Sequence, residues 1–291
     1  MIARARRRWS IVPVIAAAVL VSGRPAAVAV DGRQDPLTTF RGRVDFVSVD
    51  VSVRRGGRPV TGLKAQNFEL LDSGVRQDIA ELSYQQLPID VTVALDVSAS
   101  VTGPVLEQLR RSMTQLRADL GPQDRMKLMT FNMRVTHLVD FTQPASDIDA
   151  TLGAVSAGGS SSIFDVLAVA LTTPAAGDRR HLIVLFTDGQ DSSSVVDPAA
   201  LLEVARRTSP TVAVVLADNL SSTVTFRMPP SPVNVAFRRI YDRVAADTGG
   251  LVVPVSRGEN LSSTFRRVLE EFRSSYVLHF IPPGATRSRC T

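Results

Sequence analysis

The hydrophobic rhythm of the chain changes near residue 90. Before it, "RVDFVSVDVSVRRGGRPV" (43–60) alternates with period two, Val47, Val49, Val51 and Val53 facing one way and Ser48, Asp50 and Ser52 the other. That is the pattern of a half-buried strand. Gly56-Gly57 marks a turn, and "FELLD" and "VRQDIAELSY" read as two further strands around the Asp72-Ser73-Gly74 turn. No long helical period appears in this stretch, so residues 42–88 are predicted to form a small β module.

After Pro88 the apolar runs become compact and nearly continuous: "VTVALD" (91–96), "RMKLMTF" (125–131), "HLIVLFTD" (181–188), "TVAVVLAD" (211–218) and "LVVPVS" (251–256). "RVTHLVDF" (134–141) fits a hairpin with the second of them. Helical patterns separate most of the rest, at 104–120, 146–155, 161–173, 198–208, 235–248 and 260–274. In the last, Leu261, Phe265, Val268, Leu269 and Phe272 recur at helical spacing opposite Arg266, Arg267, Glu270 and Glu271. Buried strands alternating with helices predict an α/β domain over 89–275, a doubly wound, mainly parallel sheet with helices on both faces. Residues 219–234 read as a polar, proline-containing loop, and 276–291 as a last strand and tail. In such sheets ligands sit beyond the carboxyl ends of the strands, where strand order switches.

The first 29 residues change the meaning of the charge. Arg4, Arg6, Arg7 and Arg8 precede an uncharged apolar run from Ile11 to Val21, and Ala27-Val28-Ala29 offers a small-x-small cleavage site. This is the pattern of a signal peptide, cut near Ala29, which places the mature chain in the periplasm or outside the cell. An apolar run of 11 residues is short of the roughly 18 or more that a span needs, so the mature chain is expected to have no stable membrane span. Arg7-Arg8 also fits twin-arginine export, although the general secretory route is the simpler reading. Residues 30–41 form a polar lead-in. The whole chain carries 33 basic and 28 acidic residues, net +5; removing residues 1–29 takes away five arginines and no acid, leaving 28 of each. The basic excess belongs to the targeting segment, and nucleic acid is not an expected partner.

Cys290 is the one cysteine, so the chain has no internal disulfide, and His137, His181 and His279 are too widely spaced for a zinc motif. The candidate chemistry lies at strand ends. Asp96 closes an apolar strand and is followed by hydroxyls at Ser98 and Ser100. Asp188 closes a later strand in "LFTDGQD", and "AGGSSSIFDVL" brings Ser160, Ser161 and Ser162 to a glycine loop opening a helix. Carboxylates and hydroxyls are hard donors suited to Mg²⁺, Ca²⁺ or Mn²⁺.

Asp96-Val97-Ser98-Ala99-Ser100 resembles the D-x-S-x-S metal-ion-dependent adhesion site (MIDAS) of von Willebrand factor type A domains, and "FTDG" with Asp188 resembles that family's second acidic loop. The family's middle loop has a threonine in a pattern like G-G-T-x-L-Y-D-A; counting back from Asp165 puts Ser161 there. Over residues 42–283 the chain, with flanks "VDVSVRRGGRPVTGLKAQNFELLDSGVRQDI" and "FRSSYVLHFIPP", is similar to the bacterial VWFA-related (Acidobacterial type) exported family. The resemblance implies that Ser98, Ser100 and Ser161 bind a divalent cation directly and that Asp96 and Asp188 act partly through water. A protein partner's Asp or Glu carboxylate would complete the coordination, helped by the dipole of the helix beginning near Ser161, and no catalysis is implied. In the family the flank continues with more β structure after "IPP", which would leave the strand 276–282 short of a neighbour.

Two rivals stand beside this reading. A magnesium-dependent phosphotransferase of the D-x-D kind also ends a strand in Asp, but Ser98 occupies the position of its second acid, and neither a phosphate-binding G-x-x-x-x-G-K-[ST] loop nor a G-x-S-x-G elbow occurs. Alternatively the fold persists as a metal-free interaction module whose site has decayed, with Asp96 and Asp188 capping helices. Asp165 and Asp191 are expected to support the site without ligating, and Arg110-Arg111, Arg206-Arg207 and Arg238-Arg239 to be solvated helix faces.

Overall fold

The structure is a computed structural model that describes residues 47–282, except 56–57, 85–86, 142–146, 175–178, 218–231 and 257–258. The expected signal peptide, the lead-in, most of the 219–234 loop and Cys290 lie outside the described residues.

The large sheet contains β7 (Ile89–Asp96), β8 (Arg125–Phe131), β9 (Val135–Val139), β10 (Arg180–Thr187), β11 (Thr211–Leu216) and β12 (Leu251–Pro254) in the order β12-β11-β10-β7-β8-β9. All neighbours are parallel except the β8–β9 hairpin. Every residue of β7 and β10 is buried, which explains their unbroken apolar runs. Alternate side chains of β7 serve opposite cores. Val91, Val93 and Leu95 meet α1 (Pro104–Ala118) and α6 (Leu261–Arg273) through Leu109, Met113, Phe265 and Val268, with α2 (Asp147–Gly153) on the same side. Ala94 faces α3 (Ile163–Thr172), α4 (Pro198–Arg207) and α5 (Pro232–Thr248) through Phe164, Leu167, Leu201 and Tyr241.

The chain steps outward from β7 to β8 on one side and from β10 to β11 and β12 on the other. Strand order therefore reverses between β7 and β10, and a crevice opens at their carboxyl ends.

The β module is less local than its sequence suggests. β1 (Val47–Val51) and β6 (Ile79–Tyr84) do not pair with each other; β13 (Tyr276–Phe280) lies between them, antiparallel to both. The strand expected to lack a neighbour is thus the central one. β2 (Arg54–Arg55) pairs with β3 (Arg58–Pro59), and a 3-10 turn spans Ala65–Asn67. "VRQDIAELSY" is not one strand: it breaks at Asp78, β5 (Val75–Gln77) pairing with β4 (Leu70–Asp72) while β6 pairs with β13. Ser73 (φ 52°) and Gly74 (φ 82°) form the β4–β5 turn, both on the positive-φ side that a two-residue hairpin favours. Tyr276 is fully buried among Val49, Leu70 and Leu278. Its hydroxyl donates to the Val60 carbonyl at 2.9 Å and accepts the Leu63 N–H at 3.0 Å.

Arg180, the first residue of β10, joins the two parts. Its Nε donates to Asp50 of β1 at 3.1 Å, Nη1 to the Phe272 carbonyl at 2.9 Å and Nη2 to the Ser275 hydroxyl, with the guanidinium 4.0 Å over the Phe272 ring.

The amino-terminal edge of the large sheet holds a second buried ion cluster. Asp90 has no exposed surface and takes two bonds from Arg125, at 2.6 and 2.8 Å, and one from Arg179 at 2.6 Å. Burial works to raise its carboxyl, but hydrogen bonds and charges from Arg125 and Arg179 outweigh that and hold it below its ordinary 3.8. A depressed carboxylate adds stability that is complete above the unfolded-state value and is lost as pH falls through the folded-state value. Asp90→Asn should therefore cost about 3 kcal/mol in urea unfolding at neutral pH, from stranding two guanidinium groups. The gap between variant and parent should close as the titration is taken below about pH 4.

Candidate functional site

Asp96 is the last residue of β7 and has no exposed surface. Strand alternation turns its carboxylate toward Thr187 at the end of β10, whose hydroxyl donates to Oδ2 at 2.8 Å; Oδ1 accepts the Ser98 N–H at 2.9 Å. The second bond is a local turn in which the Asp side chain stands in for backbone. Ser98 is 3% exposed, and its hydroxyl lies 3.0 Å from that of Ser100, which is half-buried. Burial pushes the Asp96 carboxyl up, Ser98 and Thr187 pull it down, and the charge of Asp188 raises it again; the raising influences win. The hydrogen bonds to this carboxylate come from the hydroxyls of Ser98 and Thr187 and the Ser98 amide.

The other loops are tied to this one by backbone bonds. The Val97 N–H donates to the Phe131 carbonyl at 2.9 Å, Gly158 N–H to the Val97 carbonyl at 2.8 Å and Ala99 N–H to the Gly159 carbonyl at 3.0 Å. Ser161, 5% exposed, donates its N–H to the Ser192 hydroxyl at 3.0 Å, and its carbonyl accepts the Ser192 and Ser193 N–H groups at 2.9 and 3.1 Å. The circuit thus runs from the Asp96 loop to the Ser161 loop, on to the loop after Asp188, and back through Thr187.

Asp188 follows β10 and is half-buried. Gly189 has φ +95°, and a Cβ there would come 2.6 Å from Leu216 Cδ1, so the turn that presents Asp188 needs glycine for conformation and for space. Tyr241 of α5, fully buried, donates its hydroxyl to the Gly189 carbonyl at 3.0 Å. Burial raises the Tyr241 phenol well above its ordinary value, and the charges of Asp191, Asp188 and Asp96 raise it further, so one ring senses all three carboxylates.

All five residues expected at the site, Asp96, Ser98, Ser100, Ser161 and Asp188, therefore sit on this circuit. Others have different work. The Ser162 hydroxyl donates to the Asn132 carbonyl at 2.6 Å, and Ser160 faces solvent. Asp191 Oδ2 accepts the Ile163 and Phe164 N–H groups at 2.8 and 3.1 Å, and Asp165 accepts those of Val195 and Val196. Asp191 satisfies the first amides of α3, so the positive end of that helix, expected to assist a ligand, already faces a carboxylate. His181 pairs with Thr92 at 2.8 Å and His279 with Ser48 at 2.9 Å. Thr187 and Tyr241 carry no sequence signal of their own; only the register of β10 against β7 could have singled out Thr187.

Fold and crevice define a doubly wound α/β binding domain with an oxygen-lined site at its topological switch point. The family model of the von Willebrand factor type A domain matches residues 90–235, half of the chain, and the chain belongs to that family. Domains of this family are in general interaction modules and not enzymes. The structure is similar to that of proximal thread matrix protein 1 from the mussel byssus, solved with a zinc-occupied MIDAS motif, at 16% identity and a TM-score of 0.51, covering 68% of this chain and 48% of that one. It also matches an aerotolerance-related membrane protein from Bacteroides fragilis at 19% identity and a TM-score of 0.48, covering 63% and 98%. Such identities speak to fold alone. Among the described residues no helix is long and apolar enough to cross a membrane, and no three His, Cys, Asp or Glu side chains gather to hold a metal. The crevice instead combines two carboxylates with serine hydroxyls, a set that fits a hard cation with room for water.

Removing the Tyr241 hydroxyl leaves the Gly189 carbonyl buried without its donor. Tyr241→Phe should cost about 1–2 kcal/mol in urea unfolding, whereas Tyr84→Phe, in the β module, should leave the Asp188 turn untouched when its amides are followed by hydrogen exchange.

Proposed function

We propose that this protein is exported, its signal peptide removed near Ala29, and that it binds a macromolecular partner reversibly through a divalent cation held by Asp96, Ser98, Ser100, Ser161 and Asp188. The single observation that carries the reading is Asp96: a fully buried carboxylate, raised by burial and by Asp188, whose hydrogen bonds come from hydroxyls and an amide. A cation there would offset the cost of keeping it charged in a buried place. The cation supplies a positive centre with a coordination position open to an oxygen from outside. The chain's residues hold Asp96 and Ser98 in one turn and fix Ser161 and Asp188 by the cross-loop bonds. Magnesium suits the oxygen donors best, with Mn²⁺ or Ca²⁺ as alternatives; the zinc in the mussel protein is that protein's. The partner is a protein that contributes an Asp or Glu carboxylate. The role is adhesion and not catalysis, as is general for domains of this family.

Thermal melts of the mature chain with Mg²⁺, Mn²⁺ or Ca²⁺ test the metal. A cation at a hundred times its Kd should stabilise by about 2.7 kcal/mol. Asp96→Ala, and the milder Ser98→Ala/Ser100→Ala pair, should remove the shift while still folding as judged by circular dichroism. A melt indifferent to all three ions would overturn the reading. Pull-downs with metal, with chelator and with Asp96→Ala should then lose the same partner in both controls.

A further inference from the structure

Ser161 is gripped by its own peptide groups. A Cα lies between two rigid peptide planes, and the direction of its Cβ is set once both planes are held. The plane that follows Ser161 is anchored by backbone alone: its carbonyl accepts the Ser192 and Ser193 N–H groups at 2.9 and 3.1 Å, and the Ser162 N–H in the same plane donates to the Asn132 carbonyl at 2.9 Å. The plane that precedes Ser161 is anchored by a side chain, the Ser161 N–H donating to the Ser192 hydroxyl at 3.0 Å. One residue, Ser192, therefore holds Ser161 on both sides of its Cα. Ser161 is 5% exposed, so its N–H has little water to turn to when that hydroxyl is lost. Ser192 is itself exposed, and its exchange disturbs no core. Ser194 of the same loop does different work: its hydroxyl accepts the Phe164 and Asp165 N–H groups at 3.0 and 3.2 Å and donates to Asp191, bonds made at the first turn of α3 and not at Ser161.

Resting on the metal reading above, we infer that Ser192 is a positioning residue of the cation site: its hydroxyl fixes the amide plane of Ser161 and so sets where the Ser161 hydroxyl is delivered to the ion. With both planes held, rotation about the Cα–Cβ bond is the one torsion left to that ligand. The strictness of a hard cation makes this matter. Magnesium demands near-ideal octahedral geometry with oxygens at about 2.0–2.1 Å, and a serine hydroxyl carries no charge to hold it there. Its placement must come from the atoms that support it, which is the general reason why groups behind a metal ligand influence affinity. Ser192 is also the fourth residue after Asp188. Its bond thus ties the loop of one ligand to the backbone of another, and the two oxygens keep their spacing together.

The test uses the mature full-length chain and Mn²⁺ alone, with Kd read by calorimetry and the melting temperature of each variant read in chelator. Ser192→Ala should weaken Mn²⁺ binding about tenfold, as supporting bonds behind metal ligands do. Ser192→Thr, which keeps the hydroxyl, should restore the parent Kd. Ser194→Ala should show the opposite split: a lower melting temperature, from the bonds lost at the start of α3, with Kd at the parent value. Ser192→Cys, whose thiol accepts weakly, should fall between Ala and Ser, and it carries the test where Ser192→Ala does not fold. A parent-like Kd in the Ala or Cys variant, equal losses of affinity at Ser192 and Ser194, or no recovery in Ser192→Thr overturns the positioning role and leaves the metal site standing. No uptake of Mn²⁺ by the parent chain overturns the metal reading, and the role of Ser192 with it.

Discussion

One strand carries two aspartates, both without exposed surface, and their contrast organises the molecule. Asp90 is the second residue of β7 and Asp96 the last. Asp90 is gripped by Arg125 and Arg179 and held below its ordinary value; Asp96 is bonded by Ser98 and Thr187, feels the charge of Asp188, and is pushed above it. Residue type and strand are the same and neither has exposed surface, and it is the two arginines that bring Asp90 down against the raising effect of burial. At the amino-terminal edge the desolvation of a carboxylate is compensated within the fold. At the carboxyl edge hydrogen bonds from Ser98 and Thr187 do not outweigh burial and the charge of Asp188, and the carboxyl stays raised.

The sheet order makes such an imbalance possible to maintain. With β8 on one side of β7 and β10 on the other, the connections leave the crevice in opposite directions and neither crosses it. The loops then use their amides on one another: Gly158 to Val97, Ala99 to Gly159, Ser192 and Ser193 to Ser161. Those bonds fix the geometry and at the same time remove the donors that might have solvated Asp96. Ser98 and Ser100 share one contact, at 3.0 Å. What remains pointing inward is oxygen, and oxygen without nearby cations suits a hard metal ion.

How much of this was legible follows from the range of each interaction. Asp96, Ser98, Ser100 and Asp188 stand where apolar runs stop, a local signal, and strand–helix alternation placed both aspartates at one edge. The doubly wound sheet and the 134–141 hairpin were readable for the same reason. The central place of β13 was not: its pairing with β1 joins residues more than two hundred positions apart, such as Ser48 and His279, and half-buried strands of one module look alike whichever neighbour they take. Asp165 and Asp191 bond a loop to the first turn of α3, work that depends on backbone geometry that no spacing encodes. Arg110 is likewise more than a solvated face, since it donates to the Leu152 carbonyl in the last turn of α2 and to the Val155 carbonyl just past it. Arginines 179 and 180 are adjacent in sequence, yet one serves Asp90 and the other Asp50, because successive strand-edge residues point to opposite sides.

That last divergence fixes the relation between module and domain. A tether would need no buried charge, whereas Arg180 is 6% exposed and Asp50 is 15% exposed at their contact. Separating the two parts would return Asp50 to water and leave the buried Arg180 without its carboxylate. The same strand that starts at Arg180 ends at Thr187, against Asp96. β10 is buried along its whole length and paired on both sides, so it is a stiff connection between the module's edge and the crevice. The β module, assembled from the two distant ends of the described chain around β13, therefore braces the strand that positions one wall of the crevice.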